Sequence, residues 1–122
     1  MATQQLVQDN TTTKAGVLTK ALLNAGKEMG LSTSYLGNVI GKDRSAFSRG
    51  GISPDTKPGE LALMLIRCYR SLYVLVGGNT EHIQHWMHTL NKGTQGVPAE
   101  QIARVDGLVR VTEYLDAIRG KS

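Results

Sequence analysis

The sequence predicts an all-α protein in which N-terminal, helix-turn-helix-like helices pack with a C-terminal helical domain. From Lys14 onward, apolar residues recur at three- and four-residue steps, which is typical of amphipathic helices. No alternation of apolar and polar residues is long enough for a strand. Glycines, prolines and capping residues interrupt the helical pattern at regular intervals. With 122 residues, the chain suffices for one domain or two small ones that share a core.

The N-terminal part begins with a polar segment and continues with two helices. Residues 1–13 are rich in Thr, Gln and Asn and show no period, which predicts a disordered arm. The first helix is predicted to end at Gly30, with one apolar face formed by Val17, Leu18, Ala21, Leu22, Ala25 and Met29. Ser32 or Thr33 is predicted to cap a second helix, which Gly41 ends.

A third short helix and a linker complete this half. Asp43 is predicted to cap the helix, and Gly50 and Gly51 to stop it. The following stretch "ISPDTKPGE" has the proline, glycine and Asp content of a linker. We therefore predict a helix-turn-helix region over residues 14–57 and a second helical region over residues 58–122.

The second half is predicted to be built around one apolar helix. Residues 61–76 are apolar nearly all round, which predicts the most buried element. This helix has more apolar surface than its own domain needs, so we expect a homodimer that buries part of it together with Trp86. Asn79 or Thr80 is predicted to cap the next helix, Pro98 to begin another, and Asp106 to cap the last.

Charge and cysteine content restrict the class of partner and compartment. The formal net charge of +4 favours acidic partners, nucleic acid among them. Cys68 is the only cysteine, so no intrachain disulfide is possible and a cytoplasmic location fits. The first residues contain no apolar run of a signal peptide. The apolar helix 61–76 contains two arginines and is shorter than the roughly 20 residues that span a bilayer, which excludes a membrane helix.

Patterns of enzyme sites are weak in this chain. The glycine-bearing loop in residues 90–107 lacks the Lys-Ser/Thr pair of a phosphate-binding loop, which favours a turn between helices. His82, His85 and His88 are three residues apart, but a zinc site needs at least three converging ligands, which favours a solvated face. Cys68 lies in the apolar helix, where a thiol is usually inert. We therefore expect a binding module without catalytic residues, metal or cofactor.

Residues 32–49 have the pattern of a DNA-binding motif. Gly37 allows two helices to approach closely, with a glycine at the sharp turn between them. Residues 14–49 contain six basic and two acidic residues. Arginine can bind guanine, and lysine or serine can hold phosphates. The predicted DNA-binding residues are Lys42, Arg44, Ser45, Ser48 and Arg49. A helical hairpin with solvated charges is the alternative.

Two stretches resemble a known family. The segment "STSYLGNVIGKDRSAFSRG" looks like the Xre-type helix-turn-helix, with matches at Gly37, Ile40, Gly41, Phe47, Ser48 and Arg49. Lys42 and Gly50 stand where that motif usually has apolar residues. The segment "WMHTLNKGTQGVPAEQIARVDGLVRVTEYLDAIRG" resembles the toxin-binding domain of Xre/MbcA/ParS-type antitoxins, with matches at Trp86, Asn91, Gly96, Pro98, Ile102, Gly107, Val111, Leu115 and Gly120.

The resemblance implies an antitoxin that is all-α, dimeric and not an enzyme. Such proteins bind a cognate toxin, commonly of the NAD-consuming RES type or a related ADP-ribosyl-transferring type, and often bind their own operator DNA. They cover the toxin's active-site cleft with their C-terminal end. The implied toxin-binding residues here are Gly96, Pro98, Arg119, Gly120, Lys121 and Ser122. Two alternatives remain open: a frayed, solvated tail, and a stand-alone helix-turn-helix repressor without a toxin partner.

Overall fold

The structure is a computed structural model that describes residues 13–121 and is mainly helical. The elements, in chain order, are α1 (Lys14–Glu28), α2 (Thr33–Ile40), a 3₁₀ segment (Arg44–Phe47), α3 (Lys57–Leu75), α4 (Thr80–His88), α5 (Pro98–Gln101) and α6 (Val105–Lys121). No strand occurs among these residues, so the all-α prediction is confirmed. None of the helices in this range is long and apolar enough to cross a membrane. The predicted arm, apart from Thr13, lies outside the described residues.

Side-chain caps begin four of the helices. Thr13, Ser32, Thr56 and Asn79 each accept a hydrogen bond from the backbone N–H three residues later, at 2.8, 3.1, 3.1 and 3.0 Å respectively. Each bond satisfies an amide that lacks a partner within its helix. Thr13, which the sequence analysis placed in the disordered arm, is therefore the N-cap residue of α1.

The central helix is α3, which packs against α1, α2 and α6. Its core face consists of Ala62, Leu65, Ile66, Cys68 and Leu72, all buried. The prediction that α3 is the central element is confirmed. It is nevertheless not buried all round, because four of its large apolar side chains are exposed: Leu63, Tyr73, Val74 and Leu75.

Two helix starts differ from the predicted ones. Helix α3 begins at Lys57 rather than at residue 61, because Thr56 caps it and a proline occupies its first turn. Helix α6 begins at Val105, so Asp106 lies in the first turn instead of capping the helix. There the Asp106 carboxylate accepts a hydrogen bond from Arg104 Nε at 3.1 Å. The charge of Arg104 lowers the pKa of Asp106. A negative charge at the N-terminal end of a helix interacts favourably with the helix dipole.

The two halves of the chain share one hydrophobic core. Its buried residues come from both halves, for example Leu22 and Leu36 from the first and Leu108 and Leu115 from the last helix. A polar contact also joins the halves, since the Tyr35 hydroxyl on α2 donates to the Ala99 carbonyl on α5. The predicted boundary between residues 57 and 58 falls in the first turn of α3, which packs against elements of both halves. This boundary remains a prediction.

Candidate functional site

The turn after α2 is as tight as its sequence predicts. Gly41 ends α2 in the left-handed conformation, with φ of 77°, which a residue with a Cβ rarely adopts. A Cβ at Gly37 would overlap the carbonyl oxygen of Lys42. The chain therefore turns directly against α2, and only glycine fits at residue 37.

The second element of the motif is shorter than predicted. Residues Arg44–Phe47 form a single 3₁₀ turn, whereas the sequence pattern predicted a helix that continues to Gly50. Asp43 stands at the N-cap position, but its side chain makes no capping hydrogen bond. None of the four residues is fully buried, so packing supplies little energy to lengthen the helix. Gly50, with φ of 81°, then turns the chain away.

The five predicted DNA-binding residues, Lys42, Arg44, Ser45, Ser48 and Arg49, are all exposed on and around this turn. Arg49 Nη2 donates to Ser45 Oγ at 2.8 Å, and Ser48 Oγ donates to the Ser45 carbonyl at 3.1 Å. Lys42, Ser45 and Arg49 line one shallow depression. Three cationic side chains and two hydroxyls on one surface can contact phosphates and guanine edges.

A buried threonine anchors the end of this surface. Thr19 Oγ1 on α1 accepts a hydrogen bond from the Ile52 backbone N–H at 2.7 Å and donates to the Ala15 carbonyl, also at 2.7 Å. Thr19 is 5% exposed. The sequence analysis did not select it, although a threonine beside the apolar face of α1 was a usable signal.

The loop between α4 and α5 is a compact turn. Asn91 and Gly96 exchange two backbone hydrogen bonds, at 2.8 and 3.2 Å. Inside it, the Thr94 N–H donates to Asn91 Oδ1 at 3.0 Å, and Gln101 Nε2 donates to the Thr94 carbonyl at 2.6 Å. Pro98 then begins α5, as predicted. The loop connects two helices, in agreement with the interpretation as a turn.

Aromatic packing holds the loop from its other side. Trp86 stacks on Tyr114 of α6, with ring centroids 6.4 Å apart and planes at 18°. A Cβ at Gly93 would overlap the Tyr114 ring. A Cβ at Gly107 would overlap the carbonyl oxygen of Gln101, which fixes α6 close behind α5. Tyr114 was missed in the sequence analysis because its role depends on contacts between distant residues.

Gly96 and Pro98, two of the predicted toxin-binding residues, face inward. Gly96 is half-buried and Pro98 is buried. The Gly96 carbonyl also accepts a hydrogen bond from Thr94 Oγ1 at 3.3 Å. Pro98 in this conformation therefore does not present its ring to a partner. Both residues shape the turn that places α5 and α6.

The other predicted toxin-binding residues lie at the end of α6. Arg119 Nη1 donates to Ser71 Oγ on α3 at 3.4 Å, and Ser71 Oγ donates to Asp116 Oδ1 at 2.8 Å. Asp116 also forms an ion pair with Arg67 of α3. Arg119 is exposed, and its guanidinium group is nevertheless hydrogen-bonded to α3. Gly120 is exposed, whereas the Lys121 side chain and all of Ser122 lie outside the described part of the chain.

The residues weighed as catalytic or metal-binding have ordinary surroundings. Cys68 is fully buried, and burial raises the pKa of its thiol to about 12, which agrees with its interpretation as inert core. His82, His85 and His88 are exposed on α4. The Nε2 atom of His88 lies 3.0 Å from the Met29 carbonyl oxygen, at the end of α1.

Comparison with protein families gives two matches that together span most of the chain. Residues 8–67 match the family model described as the antitoxin Xre-like helix-turn-helix domain. Residues 71–121 match the model described as the antitoxin Xre/MbcA/ParS C-terminal toxin-binding domain. A search of curated proteins finds no match. The first match includes the exposed turn after α2, and the second includes the loop between α4 and α5 and the end of α6.

Proposed function

Because the chain belongs to the Xre/MbcA/ParS antitoxin family, we propose that it neutralises its toxin by covering the toxin's active site with the end of α6. In this proposal the toxin is of the NAD-consuming RES type or a related ADP-ribosyl-transferring type, and the antitoxin is not an enzyme. We also propose that the 3₁₀ surface binds operator DNA and represses the antitoxin's own operon. The single observation that carries the first proposal is the polar network at the end of α6.

That network holds the end of α6 against α3. Arg119 is hydrogen-bonded to Ser71. Asp116 accepts a hydrogen bond from Ser71 and forms an ion pair with Arg67. The backbone remains helical through Lys121. A helix end that already has a defined position loses little conformational entropy on binding, which favours affinity. The guanidinium group of Arg119 can form charge-assisted hydrogen bonds in a polar cleft that binds a dinucleotide.

Deletion of residues 120–122 tests this proposal. It removes the residues beyond Arg119 and leaves the contact of Arg119 with Ser71 in place, so the fold should be retained. We expect loss of growth rescue when the truncated protein is co-expressed with the toxin, and circular dichroism should confirm that it is folded. The substitution Arg110→Ala, on an exposed position of α6, is the control and should still rescue. Full rescue by the truncated protein would show that inhibition uses another surface.

DNA binding is proposed from the exposed cationic turn. Arg44→Ala or Arg49→Ala should each weaken specific operator binding by about 1–3 kcal/mol, the usual contribution of an arginine that contacts a base. Gel-shift titration with the promoter fragment measures this, with Arg110→Ala again as the control. Unchanged affinity in both variants would remove these residues from the interface.

A homodimer is proposed from the exposed end of α3. Tyr73, Val74 and Leu75 are consecutive, large and exposed, and exposed apolar clusters commonly mark interfaces. Trp86, also expected at this interface, is half-buried and stacks on Tyr114. Light scattering at micromolar concentration should give a dimer, and Val74→Glu should give a monomer. A monomeric wild-type protein would refute this proposal.

A further inference from the structure

An open apolar groove lies between α1 and α3, on a surface that neither the DNA-binding residues nor the loop uses. Val17, Leu18 and Ala21 form its α1 side, and Leu63 and Ile66 form its α3 side, around a cavity of about 730 Å³. Val17 is 55% exposed and Leu63 is 49% exposed. Val17 was predicted on the apolar face of its helix, and Leu63 lies in the helix that was predicted to be apolar nearly all round. We call this surface the α1–α3 groove.

The rim of the groove is cationic. Lys14, Arg67, Arg70 and Arg119 line it, and none of its lining residues is acidic. Arg67 is paired with Asp116. Lys14 and Arg70 are exposed and form no ion pair within residues 13–121. The groove therefore offers an apolar floor with an excess of positive charge around it.

These properties restrict the occupant. A second copy that packed groove against groove would bring the cationic rims together, which is unfavourable. Nucleic acid would use the cations but leave the apolar floor uncovered. An amphipathic helix with acidic flanks satisfies both features, as in helix-in-groove recognition. The lined stretches, residues 14–21 and 63–70, each extend over about 10 Å, which corresponds to roughly two turns of a bound helix.

We propose that the toxin docks an acidic amphipathic helix in the α1–α3 groove, beside the tail that enters its active site. This inference rests on the proposed function for the identity of the partner. It adds a second contact site, formed mainly by α1 and α3. Arg119 belongs to both surfaces, because it lines the groove and stands at the base of the tail. The toxin therefore contacts one continuous surface.

A synthetic peptide tests the chemistry of the groove without the toxin. The probe is a 16-residue helix with leucines on one face and glutamates elsewhere, and the matched control replaces every glutamate with lysine. We expect the acidic peptide to shift the amide resonances of Val17, Ala21, Leu63 and Arg70 in ¹⁵N-labelled protein, and the basic peptide to shift none of them. Shifts with both peptides, with neither, or only elsewhere would overturn the proposal.

Variants test whether the toxin uses the groove. Arg70→Glu inverts the rim charge, and the double substitution Val17→Gln with Leu63→Gln removes apolar floor; all three positions are exposed, so the fold should tolerate them. We expect each variant to bind purified toxin about tenfold more weakly, as for an interface residue of ordinary importance. Arg110→Glu has the same charge change as Arg70→Glu and lies about 180° around α6 from Arg119, so its affinity should be unchanged.

The outcomes separate this proposal from the proposed function. If wild-type protein does not bind the toxin, the proposed function fails. If wild-type protein binds and the groove variants bind equally well, only the groove proposal fails. A wild-type dimer that becomes a monomer on Val17→Gln with Leu63→Gln would identify a second copy as the occupant, and would also overturn it.

Discussion

Glycines follow the 3₁₀ segment at residues 50 and 51, and the loop in residues 91–107 contains glycines of its own, yet the protein holds the two segments very differently. The 3₁₀ segment has no fully buried residue, and the chain that follows it is fastened to α1 by Thr19. The loop has an internal bridge, hydrogen bonds from Gln101 and Tyr35, and aromatic packing against Tyr114.

The difference in packing suits the two segments to different tasks. A segment that contacts DNA with its own exposed side chains gains from the freedom to adjust to a duplex. A loop that places other helices must itself be rigid, because any change in its shape moves α5 and α6. Contact residues should therefore be sought on the first segment, and positioning residues in the second. Four predictions, from the largest expected effect to the smallest, test this comparison.

The largest effect is expected at Gly107. A Cβ there would overlap the Gln101 carbonyl oxygen, which is backbone and cannot move without shifting α5. Gly107→Ala should reduce the free energy of unfolding by about 2–3 kcal/mol, as for other overpacked sites. Urea denaturation measures it. Gly120→Ala, where nothing lies within 4 Å of the added Cβ, is the control and should be neutral. A loss below about 0.5 kcal/mol at Gly107 would contradict a rigid loop.

The second effect concerns the anchor of the DNA-binding segment. Thr19→Val keeps the shape of the side chain but leaves the buried Ile52 N–H without its acceptor. This should cost about 2 kcal/mol of stability and weaken operator binding as the segment loosens. Thr80→Val, which removes an exposed hydroxyl contact to Glu28, should cost little in the same denaturation experiment. Equal losses in the two variants would show that Thr19 is not a special anchor.

The third effect concerns the link between the regions. Tyr35→Phe removes the hydroxyl that donates to the Ala99 carbonyl and should cost about 1 kcal/mol. Tyr73→Phe, at an exposed position on α3, provides the comparison and should change stability much less. Calorimetric melting of both variants would decide. An unchanged melting temperature in Tyr35→Phe would mean that packing alone joins α2 to α5.

The smallest effect near neutral pH concerns Cys68, in the core that both regions share. Burial raises the pKa of its thiol from an ordinary value of 9.0 to about 12. The unfolded chain therefore loses the thiol proton first, and stability should fall as pH rises from 9 towards 12. At pH 9 the resulting loss in the free energy of unfolding is only about 0.4 kcal/mol. Cys68→Ala should show a smaller decline in denaturation midpoint over this range. Identical pH slopes would contradict the prediction.

Local chemistry predicted much of the fold, and long-range contacts account for what it missed. Ser32 and Asn79 were predicted as possible caps because a cap depends only on the next three residues. The 3₁₀ turn was predicted as a longer helix, because its length depends on burial that the pattern does not reveal. Periodicity likewise placed Val17 on the apolar face of its helix, although no element of the described chain covers it.

The residues of the candidate functional surfaces were likewise predicted only where local sequence determines them. The prediction of five DNA-binding residues, all of which are exposed, followed from charge and turn pattern, which are local properties. Thr19, Ser71 and Tyr114 act through partners 33, 45 and 28 positions away in the chain. Such pairings depend on how the helices pack, so a single sequence does not identify them. Pro98 was correctly predicted to begin a helix, but its burial follows from the closed loop.

The hydroxyl of Tyr35 also has a thermodynamic consequence. It joins α2, which precedes the turn proposed to bind DNA, to α5, which follows the loop after α4. Energetic coupling between two ligand sites, wherever it exists, is reciprocal. Any factor by which bound toxin changes the affinity for the operator must equal the factor by which the operator changes the affinity for toxin. In this protein, repression and neutralisation would then report on each other through one contact between helices.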